Sequence, residues 1–278
     1  MTTPFEIEFD GALIRGESAG FGLPVVFLHA GVADRRSWAG QIQALAEAGY
    51  HVVSYDRRGF GETDSGDVPF NHVVDLEAVL DRLGLNAAVL VGNSLGGGIA
   101  LDFAVEHPDR VVALVLVGTA VSGLAAEEAP EEIEALEDTL EYALSRGNLE
   151  QANRIEAHMW LDGPLQADGR VEGPERELFL EMNRRRREKS ADLRQEEPDT
   201  DIAAVDHLHA LRMPVLLLAG EYDYPDVLEA HDQLADEIEE AFALTIEETA
   251  HLPMLERPDL FDPLLLEFLA ALQGEEPA

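Results

Sequence analysis

The chain has 278 residues, no cysteine and a formal net charge of −37, from 56 acidic and 19 basic residues. A chain of this length can bury a sizeable core, as one large domain or as a domain with an insertion. The charge repels nucleic-acid phosphates and anionic membranes, so neither is an expected partner, and the lack of cysteine excludes a disulfide framework and thiolate chemistry.

The acidic residues are spread along the whole chain and do not form a tail, and Lys189 is the single lysine. This composition is similar to that of proteins from halophilic microbes, and it suits a salt-rich cytoplasm. No uninterrupted apolar run approaches the ~18 residues that a membrane span needs. The first residues also lack the basic start and apolar stretch of a secretory signal. We therefore expect a cytoplasmic protein, and we leave open a homodimer.

Apolar strands and amphipathic helices alternate along the first part of the chain. The predicted strands are, in chain order, residues 5–9, 12–17, 25–28, 52–55, 87–91 and 111–117. Helical spacing of apolar residues predicts helices at residues 38–48, 71–83 and 95–106. This alternation indicates βαβ units, a parallel sheet and helices on both of its faces.

The alternation breaks after Gly118. Residues 121–205 show no convincing buried strand, and acidic or charged helices are predicted there near residues 130–146, 148–160 and 174–190. Strands at residues 215–219 and 242–246 and helices at residues 226–239 and 257–272 then resume the pattern. We therefore predict a core of residues 1–120 and 206–278 with a helical cap insertion at residues 121–205. Such an insertion can act as a lid over an active site.

The sequence G-N-S-L-G at residues 92–96 fits the pattern G-x-S-x-G. The pentapeptide alone is weak evidence, but here it follows a predicted strand and opens a predicted helix, as a nucleophile elbow requires. Glycines are needed because the sharp turn crowds the strand against the helix. The turn would lift the hydroxyl of Ser94 out of the sheet. A serine hydroxyl is a poor nucleophile until a base takes its proton, so the motif calls for partners elsewhere in the chain.

With these features the chain resembles the α/β-hydrolase fold family, whose catalytic residues follow the chain order nucleophile, acid, histidine. The resemblance covers nearly everything outside the insertion. It implies an α/β fold with a mostly parallel, doubly wound sheet of about eight strands and a helical cap. In this family the acid follows a late strand, and the histidine follows the last one.

Two loops of this chain are similar to the family's acid and histidine loops. They are G-E-Y-D-Y-P at residues 220–225 and T-A-H-L-P-M-L-E-R-P at residues 249–258. The resemblance therefore implies Asp223 as the acid and His251 as the base that serves Ser94. Glu221 and Asp226 remain alternatives for the acid, and Glu256 is expected to pair structurally or to start the last helix.

The resemblance also implies an oxyanion hole made of preorganised N–H donors. The N–H of the residue after the nucleophile, here Leu95, faces the developing charge in this family. The loop H-A-G-V at residues 29–32 resembles the family's His-Gly-Gly-type loop but has alanine at the first glycine position. The second donor is therefore Gly31 or Val32, and position favours Val32.

His29 and Trp160 are the candidates for substrate binding. For His29 the alternative is to fix its own loop by hydrogen bonding. Trp160 lies in the segment M-W-L-D-G-P at residues 159–164, which resembles cap sequences of the family. For this tryptophan, packing is the alternative to substrate contact.

These residues imply a serine hydrolase that cleaves a small-molecule ester or lactone through an acyl-enzyme. The expected partner is thus a small carbonyl compound, and neither a metal nor an organic cofactor is implied. A C–C bond hydrolase, an acyltransferase and a cofactor-free perhydrolase would use the same triad, and a receptor-type member would bind a ligand with little turnover. Serine at the elbow argues against haloalkane dehalogenases and epoxide hydrolases, which have an aspartate there.

Overall fold

The computed structural model describes residues 1–124, 129–189 and 203–274. Its strands are β1 (Thr3–Phe9), β2 (Ala12–Gly20), β3 (Pro24–Leu28), β4 (His51–Tyr55), β5 (Ala88–Asn93), β6 (Val111–Val117), β7 (Val215–Gly220) and β8 (Ala241–Ile246). Its α-helices are α1 (Ala39–Glu47), α2 (His72–Arg82), α3 (Leu95–Glu106), α4 (Glu131–Ser145), α5 (Leu149–Ala157), α6 (Pro174–Glu188), α7 (Pro225–Glu237), α8 (Pro253–Glu256) and α9 (Pro258–Leu272).

The eight strands form one sheet in the order β1-β2-β4-β3-β5-β6-β7-β8. β2 pairs antiparallel with both β1 and β4, and the strands from β4 to β8 in this order pair in parallel. The predicted fold class, a mostly parallel α/β sheet of about eight strands, is confirmed.

The sheet is buried on both faces because successive side chains of each central strand point to opposite sides. In β3, Val26 and Leu28 belong to one apolar cluster, and Val25 and Phe27 belong to another. Helices α2, α3 and α7 contribute to the first cluster, and α1 and α9 contribute to the second. Helices therefore cover the sheet on both faces. Because the strands from β4 to β8 are parallel, their carboxyl ends lie at the same edge of the sheet.

Three strands, β2, β5 and β7, extend beyond their predicted ends because strand pairing, rather than side-chain alternation, decides where they stop. β2 continues to Gly20 because residues 18–20 pair with β4. β7 continues to Gly220, which pairs with the last residue of β8. β5 continues to Asn93 because its last two residues pair with the end of β6. The extension of β5 brings the strand directly to the turn at Ser94.

Helices α4, α5 and α6 lie between β6 and β7. α5 continues into a short π-helical segment, His158–Asp162, which carries Trp160. Parts of the predicted insertion, residues 125–128 and 190–202, and the chain end at residues 275–278 lie outside the described residues. The domain bounds at residues 121 and 205 stay a prediction. In the described part of the chain, every helix is too short or too polar to cross a membrane.

Candidate active site

Ser94 occupies a sharp turn between β5 and α3. Its backbone has φ 56° and ψ −121°, and its N–H donates to the carbonyl of Val117 over 2.8 Å. The turn leaves no room for a side chain at Gly92, where a Cβ would lie 2.4 Å from the carbonyl oxygen of Gly96. The left-handed backbone at Ser94 is the geometry of a nucleophile elbow. The serine thus sits at the first turn of α3, where helical N–H groups lack intrahelical partners.

His251 and Asp223 form a buried hydrogen-bonded pair. The Nδ1 atom of His251 lies 2.9 Å from each carboxylate oxygen of Asp223, and both side chains are buried. The backbone N–H of Tyr224 also donates to this carboxylate, over 2.8 Å. Because Nδ1 donates to Asp223, the ring's other nitrogen, Nε2, is left as the proton acceptor.

The other two candidate carboxylates make different contacts. Glu221 accepts the N–H of Glu248 over 3.0 Å, and the Oδ1 atom of Asp226 accepts the N–H of Val227 over 3.0 Å. Of the three acids considered from the sequence, Asp223 is therefore the one that the structure places against the imidazole.

Ser94 and His251 line the same cavity, which has a volume of about 310 Å³. Ser94 follows β5 and His251 follows β8, and the ends of parallel strands in an α/β sheet form a natural ligand crevice. The other lining residues are Gly118, Thr119, Ala120, Val121, Leu124, Trp160, Asp226, Val227, Glu229, Ala230 and Gln233. The cavity has a small apolar interior and an acidic edge on α7.

Trp160 forms part of the cavity wall and touches the histidine. Its ring lies 4.7 Å from the ring of His251 and stacks on Tyr224 at 4.5 Å, measured between centroids. The backbone N–H of His251 donates to the carbonyl oxygen of Trp160 over 3.3 Å. The insertion between β6 and β7 thus reaches the imidazole directly.

Two residues that the sequence did not single out support the histidine. The side-chain amide of Asn93 donates to the carbonyls of Val117, over 2.9 Å, and His251, over 3.0 Å. Gly118 passes so close to the pair of Asp223 and His251 that a Cβ there would lie 2.8 Å from Asp223 Oδ2. Asn93 is the variable position inside G-x-S-x-G, and Gly118 is the residue after β6, so neither carries a motif signal of its own.

Glu256 lies beneath the histidine loop, as a structural pairing role predicts. Its carboxylate accepts the N–H of Ala250 and of Leu252, over 2.9 to 3.2 Å, and it forms an ion pair with Arg170. Burial raises the pKa of Glu256 to about 7, against the lowering effect of Arg170 and of the two N–H donors.

The loop at residues 29–32 lies beside the start of α3. A Cβ at Gly31 would lie 3.7 Å from the side chain of Leu95, and the side chain of Val32 is buried in the core. Leu95 is the first residue of α3, where the N–H lacks a partner within the helix. The choice between the N–H groups of Gly31 and Val32 stays a prediction.

His29 lies in the interior of its loop. Its Nδ1 atom donates to the carbonyl of Ala30 over 2.8 Å, and its Nε2 atom accepts the N–H of Arg57 over 3.2 Å. Burial and the Arg57 charge hold the pKa of His29 well below its usual value, so the ring is neutral. These contacts favour the bracing role of His29 over its assignment as a substrate-binding residue.

Comparison with known proteins places the chain in a family. A family model for the alpha/beta hydrolase fold matches residues 24–258. The chain belongs to the α/β-hydrolase fold family.

Within the described ranges, no group of three or more His, Asp or Glu side chains is arranged to hold a metal ion.

Individual members of this family resemble the chain to different extents. A 2-hydroxy-6-oxo-6-phenylhexa-2,4-dienoate hydrolase from Comamonas testosteroni is 36% identical over 120 residues, 41% of this chain and 42% of the relative. The matched segments span about two fifths of the length of the curated relatives.

Solved structures match over nearly the whole chain. Est816, described as an N-acyl homoserine lactone degrading enzyme, has a TM-score of 0.73 and 27% identity. The match covers 95% of this chain and 99% of the Est816 chain. A thermophilic esterase from Thermogutta terrifontis has a TM-score of 0.73 and 26% identity, and the match covers 97% of this chain and 99% of the esterase.

Proposed function

We propose that the protein is a serine hydrolase that cleaves a small-molecule ester or lactone through an acyl-enzyme. The hydrogen bond between His251 and Asp223, at a cavity that Ser94 also lines, carries this proposal. A buried carboxylate fixes the tautomer of the imidazole and stabilises the imidazolium that forms when the serine gives up its proton.

The reaction would proceed in two halves. His251 takes the hydroxyl proton as Ser94 Oγ attacks the substrate carbonyl, and the resulting oxyanion accepts hydrogen bonds from the N–H of Leu95 and of Gly31 or Val32. The C–O bond to the leaving group breaks as the imidazolium returns its proton to the leaving oxygen. Water, activated by His251, then attacks the acyl-enzyme and releases the acid and the free serine.

A C–C bond hydrolase is the second candidate. The Comamonas testosteroni relative is named as the hydrolase of a dienoate, and a C–C bond hydrolase would use the same triad. A dienoate carries a carboxylate, for which a cationic side chain in the cavity is the natural partner. Among the described residues that line the cavity, Asp226 and Glu229 are charged and none is arginine or lysine. This lining favours a neutral ester or lactone, in line with the names of the two solved structures.

A substitution of the nucleophile tests the proposal. Ser94→Ala should lower kcat for an activated ester by roughly 10⁴- to 10⁶-fold without loss of the fold, and a fluorophosphonate probe should label the wild-type protein at Ser94. Ser122→Ala is the matched control. The hydroxyl of Ser122 donates to Asp102 over 2.6 Å, and this serine is not among the residues that line the cavity. Labelling of a different residue, or near-full activity of Ser94→Ala, would refute the assignment.

The choice between the two substrate classes needs a second measurement. Neutral esters and lactones should give a higher kcat/KM than a vinylogous diketone that carries a carboxylate. The acidic edge formed by Asp226 and Glu229 repels the anionic substrate. A preference for the diketone would instead establish the C–C bond hydrolase.

A further inference from the structure

The loop that carries His251 is held from below by one carboxylate. Glu256 reaches this position because α8 turns the chain back beneath the loop. Its oxygens accept the N–H groups of Ala250 and Leu252, the residues on either side of the histidine. Two bonds that bracket one residue fix its backbone, and they therefore fix the direction in which the imidazole leaves the loop.

Arg170 joins this carboxylate to the insertion. Its guanidinium forms an ion pair with Glu256 and donates to the carbonyl of Glu248, over 2.8 Å, at the start of the histidine loop. It also donates to the carbonyls of Leu161, over 2.8 Å, and Asp162, over 2.6 Å. One fork-shaped cation thus bridges the histidine loop and the turn that follows Trp160, which a lysine could not do with a single ammonium group.

The two segments also touch through the tryptophan itself. The carbonyl of Trp160 accepts the N–H of His251, and its ring packs on the imidazole. Removal of the Arg170 cation would leave Glu256 buried without a counter-charge, and a buried carboxylate in that state takes up a proton. A protonated Glu256 is a weaker acceptor for the two N–H groups beside His251.

We propose that Glu256 and Arg170 are positioning residues for the catalytic base, and that they tie the loop of His251 to the insertion turn that carries Trp160. The inference rests on the proposed function in so far as His251 is the base. Because the pair touches the base's loop and lies outside the cavity lining, its loss should act on kcat rather than on KM. A displacement of the imidazole by about 1 Å suffices for a loss of about 10²-fold.

A second buried ion pair in the insertion supplies the control. Glu156 and Arg187 have side-chain exposures of 3% and 16%, against 1% and 22% for Glu256 and Arg170. Glu156 also accepts the side-chain amide of Asn183 over 2.7 Å. Glu156 keeps a second cation, Arg186, at 3.4 Å, so Glu156→Gln is a closer match to Glu256→Gln than Arg187→Met is to Arg170→Met. The control pair joins α5 to α6, so its loss should lower the melting temperature without removing a contact of the histidine loop.

The experiment compares Glu256→Gln and Arg170→Met with Glu156→Gln and Arg187→Met. For one activated ester, the first two variants should lose about 10- to 100-fold in kcat with KM within about threefold of wild type. The control variants should keep kcat within about threefold even where their melting temperature falls equally. Arg170→Lys, which keeps the charge but not the fork, should show an intermediate kcat, and it remains informative if Arg170→Met does not fold.

Proton NMR of the bond between His251 Nδ1 and Asp223 separates this inference from the proposed function. The downfield proton of that bond should shift or broaden in Glu256→Gln and Arg170→Lys and stay in place in Glu156→Gln. An unchanged signal in all variants would overturn the positioning role, and so would an equal loss of kcat in the test and control variants. Absence of ester turnover in the wild-type protein would refute the hydrolase proposal, while the NMR comparison would still decide the role of the pair.

Discussion

Gly118 lies against the hydrogen-bonded pair of Asp223 and His251. Its φ is +49°, and a Cβ there would lie 2.8 Å from Asp223 Oδ2 and 3.1 Å from His251 Nδ1. Gly118→Ala should therefore push the pair apart and lower kcat by about 10²-fold, since catalysis depends on positions held to within about 1 Å. Kinetics with an activated ester would measure the loss.

A matched glycine separates this clash from backbone strain. Gly147 has a φ of +67°, and a Cβ there would meet no atom within 4 Å. Gly147→Ala should thus cost about 1 kcal/mol of folding free energy and leave kcat unchanged. If both alanine variants lost activity equally, strain rather than contact with the pair would explain the effect at Gly118.

Asp223 should matter through the tautomer of His251. In Asp223→Asn the amide can present its N–H₂ group to Nδ1 and favour the wrong tautomer, so we expect kcat to fall by roughly 10²- to 10⁴-fold. Glu221→Gln and Asp226→Asn are the controls, and each should cost less than about tenfold because neither carboxylate contacts the imidazole. A reversed ranking in the kinetics would move the acid to another position.

Among the secondary-structure elements, local sequence patterns predict the individual strands and helices better than they predict which strands pair in the sheet. The buried run of β5, the glycines of the elbow and the amphipathic helix after them are visible within twenty residues of sequence, and the turn at Ser94 follows from them. The end of β2 at Gly20 depends on pairing with β4, more than thirty residues away, so alternation of side chains could not predict it.

The same limit applies to residues of the site. Asn93 binds the carbonyl of His251 across 158 positions of the chain, and Gly118 is required by a pair that forms far along the sequence. Neither role is associated with a recognisable pattern in the sequence around Asn93 or Gly118. For Glu256 a local signal exists: it stands in the short helix α8, five residues after the histidine, where one helical turn brings a side chain back beneath the loop.

The π-helical segment after α5 is the element through which the insertion reaches the cavity. Such segments inside helices are frequent at functional sites, and this one places Trp160 between His251 and Tyr224. We predict that Trp160→Ala changes the order of preference among esters of different acyl length more than it changes the rate with one small activated ester. A panel of kcat/KM values would test this, with Trp160→Phe as the conservative control.

A uniform loss across the panel would mean that Trp160 serves the histidine or the fold rather than substrate choice. The two roles give different results because a residue that lines the cavity contacts long acyl groups but does not contact a small one. The cavity of about 310 Å³ lies at the lower end of the usual size for ligand sites, so a removed indole would enlarge it noticeably.

For the whole molecule, the net charge of −37 predicts a dependence of stability on salt. The accessible surface is 12,590 Å², and the net charge of −37 spread over it leaves a spacing of about 18 Å between net charges. The screening length is about 10 Å at 0.1 M salt and about 3 Å at 1 M. Repulsion between neighbouring charges should therefore be largely screened by a few tenths molar salt.

We predict that the melting temperature rises with potassium chloride from 0.1 M to 3 M, as the acidic, lysine-poor composition implies. A rise that ends below 1 M would be accounted for by screening alone. A rise that continues steeply between 1 and 3 M cannot come from screening, and it would require bound hydrated cations or salt-strengthened burial of apolar surface. Thermal melts in potassium chloride and in sulfate would separate these two, because sulfate strengthens apolar burial more strongly at equal cation concentration. A melting temperature that is insensitive to salt throughout would refute the halophilic interpretation and leave the catalytic proposal unaffected.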